Sequence, residues 1–358
     1  MKAEEIRPVA RGRWGEILAA LAPHLIPALE RKGRHMPCPV HGGRDGYRVF
    51  KDVDETGGSV CNTCGVFPDG FATLMWANGW DFPTALRAVA GYLCVGTSTG
   101  RPARKVKPEP QKGEDDEKLR QALNRVWNES IPIMDRDAEP ARLYLARRGI
   151  SIRPPETIRF HPSLAYYDGD KKAAGGYPAI IAMVTGAQGN PVTIHRTYLT
   201  PDGKKAPVES PKKLMAYPKD RRIVGGAIRL VEAGSVLAVA EGLETSLAVL
   251  EGTGLPVWCA VNAYLLEHLV PPESVRRVIV FADKDRATEQ HPRGHGQEAA
   301  RRLVQRLWEM GIKASAIVPA GEIPPGQKSL DWLDILNRDG KAGFPTLRSV
   351  EQAIRRVA

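Results

Sequence analysis

The chain has 358 residues, 42% of them hydrophobic and 26% charged, a composition suited to about two or three ordinary domains. No stretch reaches the roughly 18 consecutive apolar residues of a membrane span, and the acid-bearing start MKAEEIRPVARGRWGEIL lacks a signal peptide's apolar core. Five cysteines in so long a chain do not describe a secreted disulfide scaffold, so a cytoplasmic location with no membrane partner is expected. The net charge of +10 has one source. Residues 118–230 hold 20 Lys/Arg against 10 Asp/Glu, while the flanking segments nearly balance. Such a block suits a polyanion such as nucleic acid, or else it is a solvated face without a ligand.

In chain order, residues 14–29 show helical periodicity broken by Pro23 and Pro27. Short strand-like pieces then surround two Cys/His pairs, and a helix is predicted from Asp81 to Tyr92. Residues 98–117, rich in Pro, Gly and charge, read as a flexible linker after an N-terminal module of residues 1–97. Residues 118–230 form a basic segment, with helices predicted at 119–130 and 139–149 and two strands around a turn at 186–190. From 231 to 340 the rhythm becomes strand–helix alternation, and its short apolar runs predict a mainly parallel sheet covered on both faces. Residues 341–358 are a helical extension.

Cys38 and His41, then Cys61 and Cys64, form two pairs of soft ligands, each able to sit on one tight turn. Zinc takes four N/S ligands in a tetrahedron, so a filled set of this kind makes a closed, structural site. Cys94 and Cys259 lie in apolar segments and read as buried fillers. The residues around the pairs, CPVHGGRDGYRVF, CNTCG and DGFATLMWANGWDFPTALRAVAGYL, resemble the zinc-binding module of phage- and plasmid-encoded primases. That resemblance implies one structural zinc on Cys38, His41, Cys61 and Cys64. It also places Arg44, Tyr47, Arg48 and Lys51 on a DNA-contacting face, where an aromatic ring stacks a base between phosphate-holding cations. Tyr47 is alternatively part of the small module's core.

Glu241 ends one predicted strand and is followed by Gly242; Asp283 and Asp285 follow another; Asp331 and Asp334 come after the last. Ligands of open parallel sheets bind at the carboxyl ends of strands, and carboxylates gathered there call for hard cations such as Mg²⁺ or Mn²⁺. Singly, each acid is weak evidence, since an Asp after a strand is more often a helix cap or turn residue. Together, Glu-Gly, Asp-x-Asp, a glycine-opened helix at Gly294 and Gly296, and a later acidic site resemble the Toprim domain of bacterial-type primases, topoisomerases and some nucleases. The third motif departs from that pattern, because Leu330 stands before Asp331 where related primases carry Lys, and Lys328 is the nearest lysine. The resemblance implies two catalytic Mg²⁺ or Mn²⁺ ions. Glu241 would hold a metal or act as general base, Asp283 and Asp285 would be ligands, and Asp331, alone or with Asp334, would complete the set.

The basic stretch GNPVTIHRTYLTPDGKKAPVESPKKLMA is similar to the strand-turn-strand that precedes Toprim in such primases. This makes Arg196, Lys204, Lys205, Lys212 and Lys213 candidate contacts to nucleotide or nascent duplex. Arg196 and His195 alternate on one strand, and Arg196 is the one expected in the groove. Residues 321–329 nearly imitate a P-loop, but Gln327 separates Gly326 from Lys328, and two prolines remove phosphate-cradling donors.

The expected fold is thus α/β: a small zinc ribbon, a linker, a basic α+β subdomain and a Rossmann-like Toprim subdomain. The expected activity is a DNA primase, a DNA-directed RNA polymerase building short RNA primers from ribonucleoside triphosphates on single-stranded DNA. It would serve a plasmid, phage or integrative element, with a separate replicative helicase as partner. Two other readings stay open, a Toprim nuclease and a non-catalytic zinc-ribbon replication accessory protein.

Overall fold

The computed structural model describes residues 3–40, 42–93, 112–167, 173–218, 220–288 and 292–346. The chain divides into two units, Met1–Pro110 with Gly169–Lys171, and Gln111–Asp168 with Lys172–Ala358. Of the sequence expectations, His41, Cys94 and most of the 98–117 linker lie outside the described residues, as do residues 347–358 of the helical extension.

The first unit is an antiparallel sheet in sequence order, β1 (Met36–Cys38), β2 (Gly42–Val49), β3 (Ser59–Cys61) and β4 (Gly65–Phe67). Around it lie helices α1 (Ala3–Ala10), α2 (Trp14–Leu21), α3 (Ile26–Leu29), α4 (Val53–Thr56), α5 (Gly70–Asn78) and α6 (Phe82–Tyr92). Two aspartates set the last pair of helices. Asp69 accepts from the Ala72 amide and Asp81 from the Thr84 amide, each at 2.9 Å, satisfying donors at a helix start. The core joins Trp14, edge-on to Phe71 with ring centroids 5.0 Å apart, to a stack in which Trp76 lies on both Phe67 and Tyr47. Gly70 is where α5 meets α2, because a Cβ there would stand 2.0 Å from the buried Trp14 ring. Gly70→Ala is therefore expected to destabilise this unit by about 2–3 kcal/mol through forced repacking, measured by urea denaturation followed by tryptophan fluorescence.

The second unit begins with α7 (Lys112–Asn128), earlier than the sequence suggests. The acidic run at residues 114–117 falls in its first turns, where negative charge favours a helix N-terminus. An antiparallel sheet follows in sequence order: β5 (Ile131–Pro132), β6 (Ile158–Tyr167), β7 (Ala173–Thr185), β8 (Pro191–Tyr198) and β9 (Lys212–Leu214), with α8 (Glu139–Arg147) after β5. Strand β6 was not foreseen, since Pro162 interrupts its run; the pairing with β7 shifts register at that point, between His161 and Leu164.

The strand–helix alternation forms a second sheet with the order β10-β12-β11-β13-β15. Its strands are β10 (Ile228–Arg229), β11 (Val236–Ala240), β12 (Val257–Cys259), β13 (Arg277–Phe281) and β15 (Lys313–Ile317). All but the edge strand β10 run parallel. Between them come α9 (Leu243–Thr253), α10 (Ala263–Glu267) and α11 (His295–Glu309). A two-residue pair, β14 (Lys284–Asp285) with β16 (Ser329–Leu330), precedes α12 (Trp332–Asp339). One core serves both sheets, with Tyr144, Phe160 and Ile180 joining Leu247, Phe281 and Trp332.

Candidate active site

The order of the parallel sheet places its crevice. The chain leaves β11 for β12 on one side and then returns to β13 on the other, so the connections diverge between β11 and β13, where open sheets bind ligands. Ala240 pairs with Phe281 at the carboxyl ends of these two strands, Glu241 follows the first directly, and Asp283 lies two residues past the second. The β14–β16 pair aligns Asp285 with Ser329 and so draws Asp331 and Asp334 to the same rim. Sequence inspection offered no trace of so short a pairing.

The acids act on one another. Burial raises the Asp283 pKa well above the usual carboxylate range, and the charges of Glu241, Asp331, Asp285 and Asp334 push it further. Burial and then Asp285 raise Glu241 to about 7, against the pull of an Ala263 backbone donor and of Lys212. Asp331 is raised chiefly by burial. Asp285 is held differently, its Oδ2 accepting from the Gly296 amide at 2.7 Å while Gln297 bonds both its backbone groups. Gly296 permits this approach, since a Cβ there would stand 3.0 Å from the same oxygen. Asp331 and Asp334 also form a reciprocal capping box on α12, each carboxylate accepting from the other's amide.

The chemistry of these donors suits a hard divalent cation, although among the described residues no three of the carboxylates bring their oxygens within 4.8 Å of one another. The donors are all carboxylate oxygens, and Asp283 Oδ1 is buried without a hydrogen-bond partner. Glu241, Asp283, Asp285 and Asp331 are the residues that would hold the ions.

Facing the acids is a group that sequence reasoning missed. Glu244, in the first turn of α9 and only 7% exposed at its side chain, accepts from Lys212 Nζ at 2.6 Å and from the Tyr144 hydroxyl at 2.5 Å. Those bonds hold its carboxyl far below the usual range against the cost of burial, while burial and Glu244 together push the Tyr144 phenol upward. Arg148 lies within electrostatic reach of Asp331, Tyr144 and Lys205, and Lys205 in turn feels Lys212 and Glu244. His195 is buried beside Lys212 and Glu244, its imidazole lowered to about 4 by desolvation and then by Lys212.

The other basic candidates are less free. The Arg196 guanidinium is half-buried and bonds the Tyr198 hydroxyl at 2.9 Å and the Leu214 carbonyl at 2.8 Å. These bonds hold it within the sheet's own tyrosine cluster, not in an open groove. Lys213 donates to the Tyr167 carbonyl and lies 4.2 Å from the Tyr166 ring centre. Lys204 is exposed and paired with Asp202 at 2.8 Å.

In the first unit, the Sγ atoms of Cys38, Cys61 and Cys64 lie within 4.8 Å of one another, with Cys38 and Cys64 4.0 Å apart. Tetrahedral zinc–thiolate bonds would set sulfurs about 3.8 Å apart, so the three fit one zinc ion. Crowded by the other two sulfurs and buried, the Cys64 thiol is pushed strongly upward, as expected of thiols that need a cation to ionise. One expectation for the ribbon is overturned. Tyr47 is fully buried, stacked on Trp76 at 5.1 Å, and has no ring face for a base. Arg48 is half-buried over Phe50, and Arg44 lies in β2 with its side chain outside the described residues.

Residues 33–71 match the family described as the zinc-binding domain of primase-helicase, residues 236–342 the Toprim domain, and residues 117–225 a domain of unknown function. Among solved structures, the chain is similar to the zinc-binding and RNA polymerase domains of the Aquifex aeolicus primase. That match has 15% identity over 91% of this chain and 83% of the other, with a TM-score of 0.41. The DnaG primase catalytic domain bound to ssDNA matches at 16% identity over 67% of this chain and 80% of the other, with a TM-score of 0.44. The primase fragment of the bacteriophage T7 primase-helicase protein matches at 15% identity over 89% of this chain and 98% of the other, with a TM-score of 0.34. The chain thus carries, in that order, a stretch that matches the primase-type zinc-binding domain and one that matches the Toprim domain.

Proposed function

We propose that the protein is a DNA primase that joins ribonucleoside triphosphates into short RNA primers on a single-stranded DNA template. The observation that carries the reading is the acidic rim around Asp283 at the sheet's switch point, facing a basic subdomain, in a chain that also has a primase-type zinc-binding domain. Two Mg²⁺ or Mn²⁺ ions at this rim would neutralise triphosphate charge and activate a 3′-hydroxyl. The hydroxyl oxygen then bonds the α-phosphorus of the incoming nucleotide while the bond to the β-phosphate oxygen breaks and pyrophosphate leaves. Glu241, held near neutral, is suited either to hold a metal or to receive the hydroxyl proton. Lys205, Lys212 and Arg148 are suited to the triphosphate, and Lys204 and Lys213 to the nascent duplex. The resemblance of the zinc module to phage and plasmid primases supports service to a mobile element, with a separate replicative helicase as partner.

The test is labelled nucleotide incorporation on single-stranded DNA with Mg²⁺ or Mn²⁺. Products longer than a dinucleotide are expected; DNA cleavage without nucleotides would favour the nuclease reading instead. Asp331 has its own test, since Asn caps a helix as well as Asp but lacks the charge that binds a cation. Asp331→Asn is expected to leave Tm within about 2 °C while lowering incorporation at least tenfold. An active Asn variant would reduce Asp331 to a cap.

A further inference from the structure

Glu244 stands three residues after Glu241, yet its carboxylate is committed on both oxygens, to Tyr144 of α8 and to Lys212 of β9. A buried carboxylate without partners is costly, and a lysine on its flexible four-carbon stem has no fixed position of its own. Here each settles the other. The ion pair sets the Lys212 ammonium 2.6 Å from a carboxylate in the first turn of α9, the helix that opens two residues after Glu241, and Glu241 feels its charge. The same helix carries a second buried acid, Glu251, which accepts from the Ser151 amide at 2.8 Å and also bonds the Ser151 hydroxyl. Glu251 therefore anchors α9 to the preceding subdomain without touching a lysine.

We infer that Glu244 is a positioning residue that fixes Lys212, with Tyr144 bracing it, so that the ammonium meets the phosphates of a nucleoside triphosphate entering beside Glu241. This deepens the proposed function and rests on it for the nature of the ligand. Preorganised charge binds better than charge that must first be ordered, so loss of the brace weakens triphosphate binding even with Lys212 intact.

The experiment measures equilibrium binding of ATP with Mg²⁺ to the full chain. Glu244→Gln is expected to raise Kd about tenfold, whereas Glu251→Gln changes it less than twofold. Combining Glu244→Gln with Lys212→Met is expected to bind no more weakly than Lys212→Met alone, because the two residues act as one. Circular dichroism and Tm on each variant identify any that fails to fold, and Glu244→Asp, which keeps the charge, is expected to recover part of the loss. Unchanged binding by a folded Glu244→Gln variant, or an equal loss in Glu251→Gln, overturns the inference. A wild-type protein that binds ATP in this pattern but extends no primer overturns the primase reading and supports the inference; one that binds no ATP overturns the inference as well.

Discussion

Asp283→Asn is expected to abolish metal-dependent nucleotide incorporation, by at least a thousandfold, while making the metal-free protein more stable. The two effects share a cause. Asp283 is half-buried, with its Oδ1 shut off from solvent and four other acids acting on it, so its ionisation opposes folding unless cations lie between them. The pH dependence follows from the same shifts. Glu241 is raised to about 7, above an ordinary 4.5, so between those values the folded protein binds protons that the unfolded chain has released. The stability that Glu241 contributes, about 3 kcal/mol, is therefore fully present below about pH 4.5 and lost as pH rises through 7. Asp283 shifts in the same direction and steepens the loss. Thermal melts of the second unit between pH 5 and 8 should show Tm falling without divalent cations and recovering in millimolar Mg²⁺. Asp283→Asn should raise the metal-free Tm at pH 8 by about 5 °C and flatten the Mg²⁺ response. A variant that melts earlier than wild type, or still polymerises, would remove Asp283 from the centre of the site.

Zinc removal is expected to have the largest structural effect. Cys38 ends β1, Cys61 ends β3 and Cys64 directly precedes β4, so one ion would clip three of the ribbon's four strands. Structural zinc contributes about 10 kcal/mol or more to such folds, comparable with the whole stability of a small domain. Cys61→Ala, or chelation of the wild type, should release one zinc per chain and abolish hydrogen-exchange protection across β1–β4. Protection in β11 and β13 should persist. Full protection of the ribbon after the metal is gone would mean that its aromatic core suffices.

The legibility of these features in the sequence was uneven for definite reasons. Strands β11, β13 and β15 were plain because buried parallel strands are written as short apolar runs, and the acids at the ends of the first two came with them. Glu244 was not, because in sequence it is one polar residue of a helix, while its partners lie 32 and 100 positions away. The β14–β16 pair is too short to leave a pattern. Tyr47 misled for a different reason. It stands between basic residues in the sequence, but β2 lies between two other strands and turns the ring onto Trp76. Arg196 looked groove-facing by alternation, yet the face it shares with Tyr198 supplies its own acceptors.

The acid cluster draws on positions from 241 to 334, and its last two members sit on α12, whose Trp332 bonds the Ala282 carbonyl just before Asp283. During synthesis, a growing chain holding the first three acids would still lack the oxygens that finish the cage. If the rim takes ions as proposed, their capture would follow the folding of α12, and loosening the Trp332 anchor would weaken it.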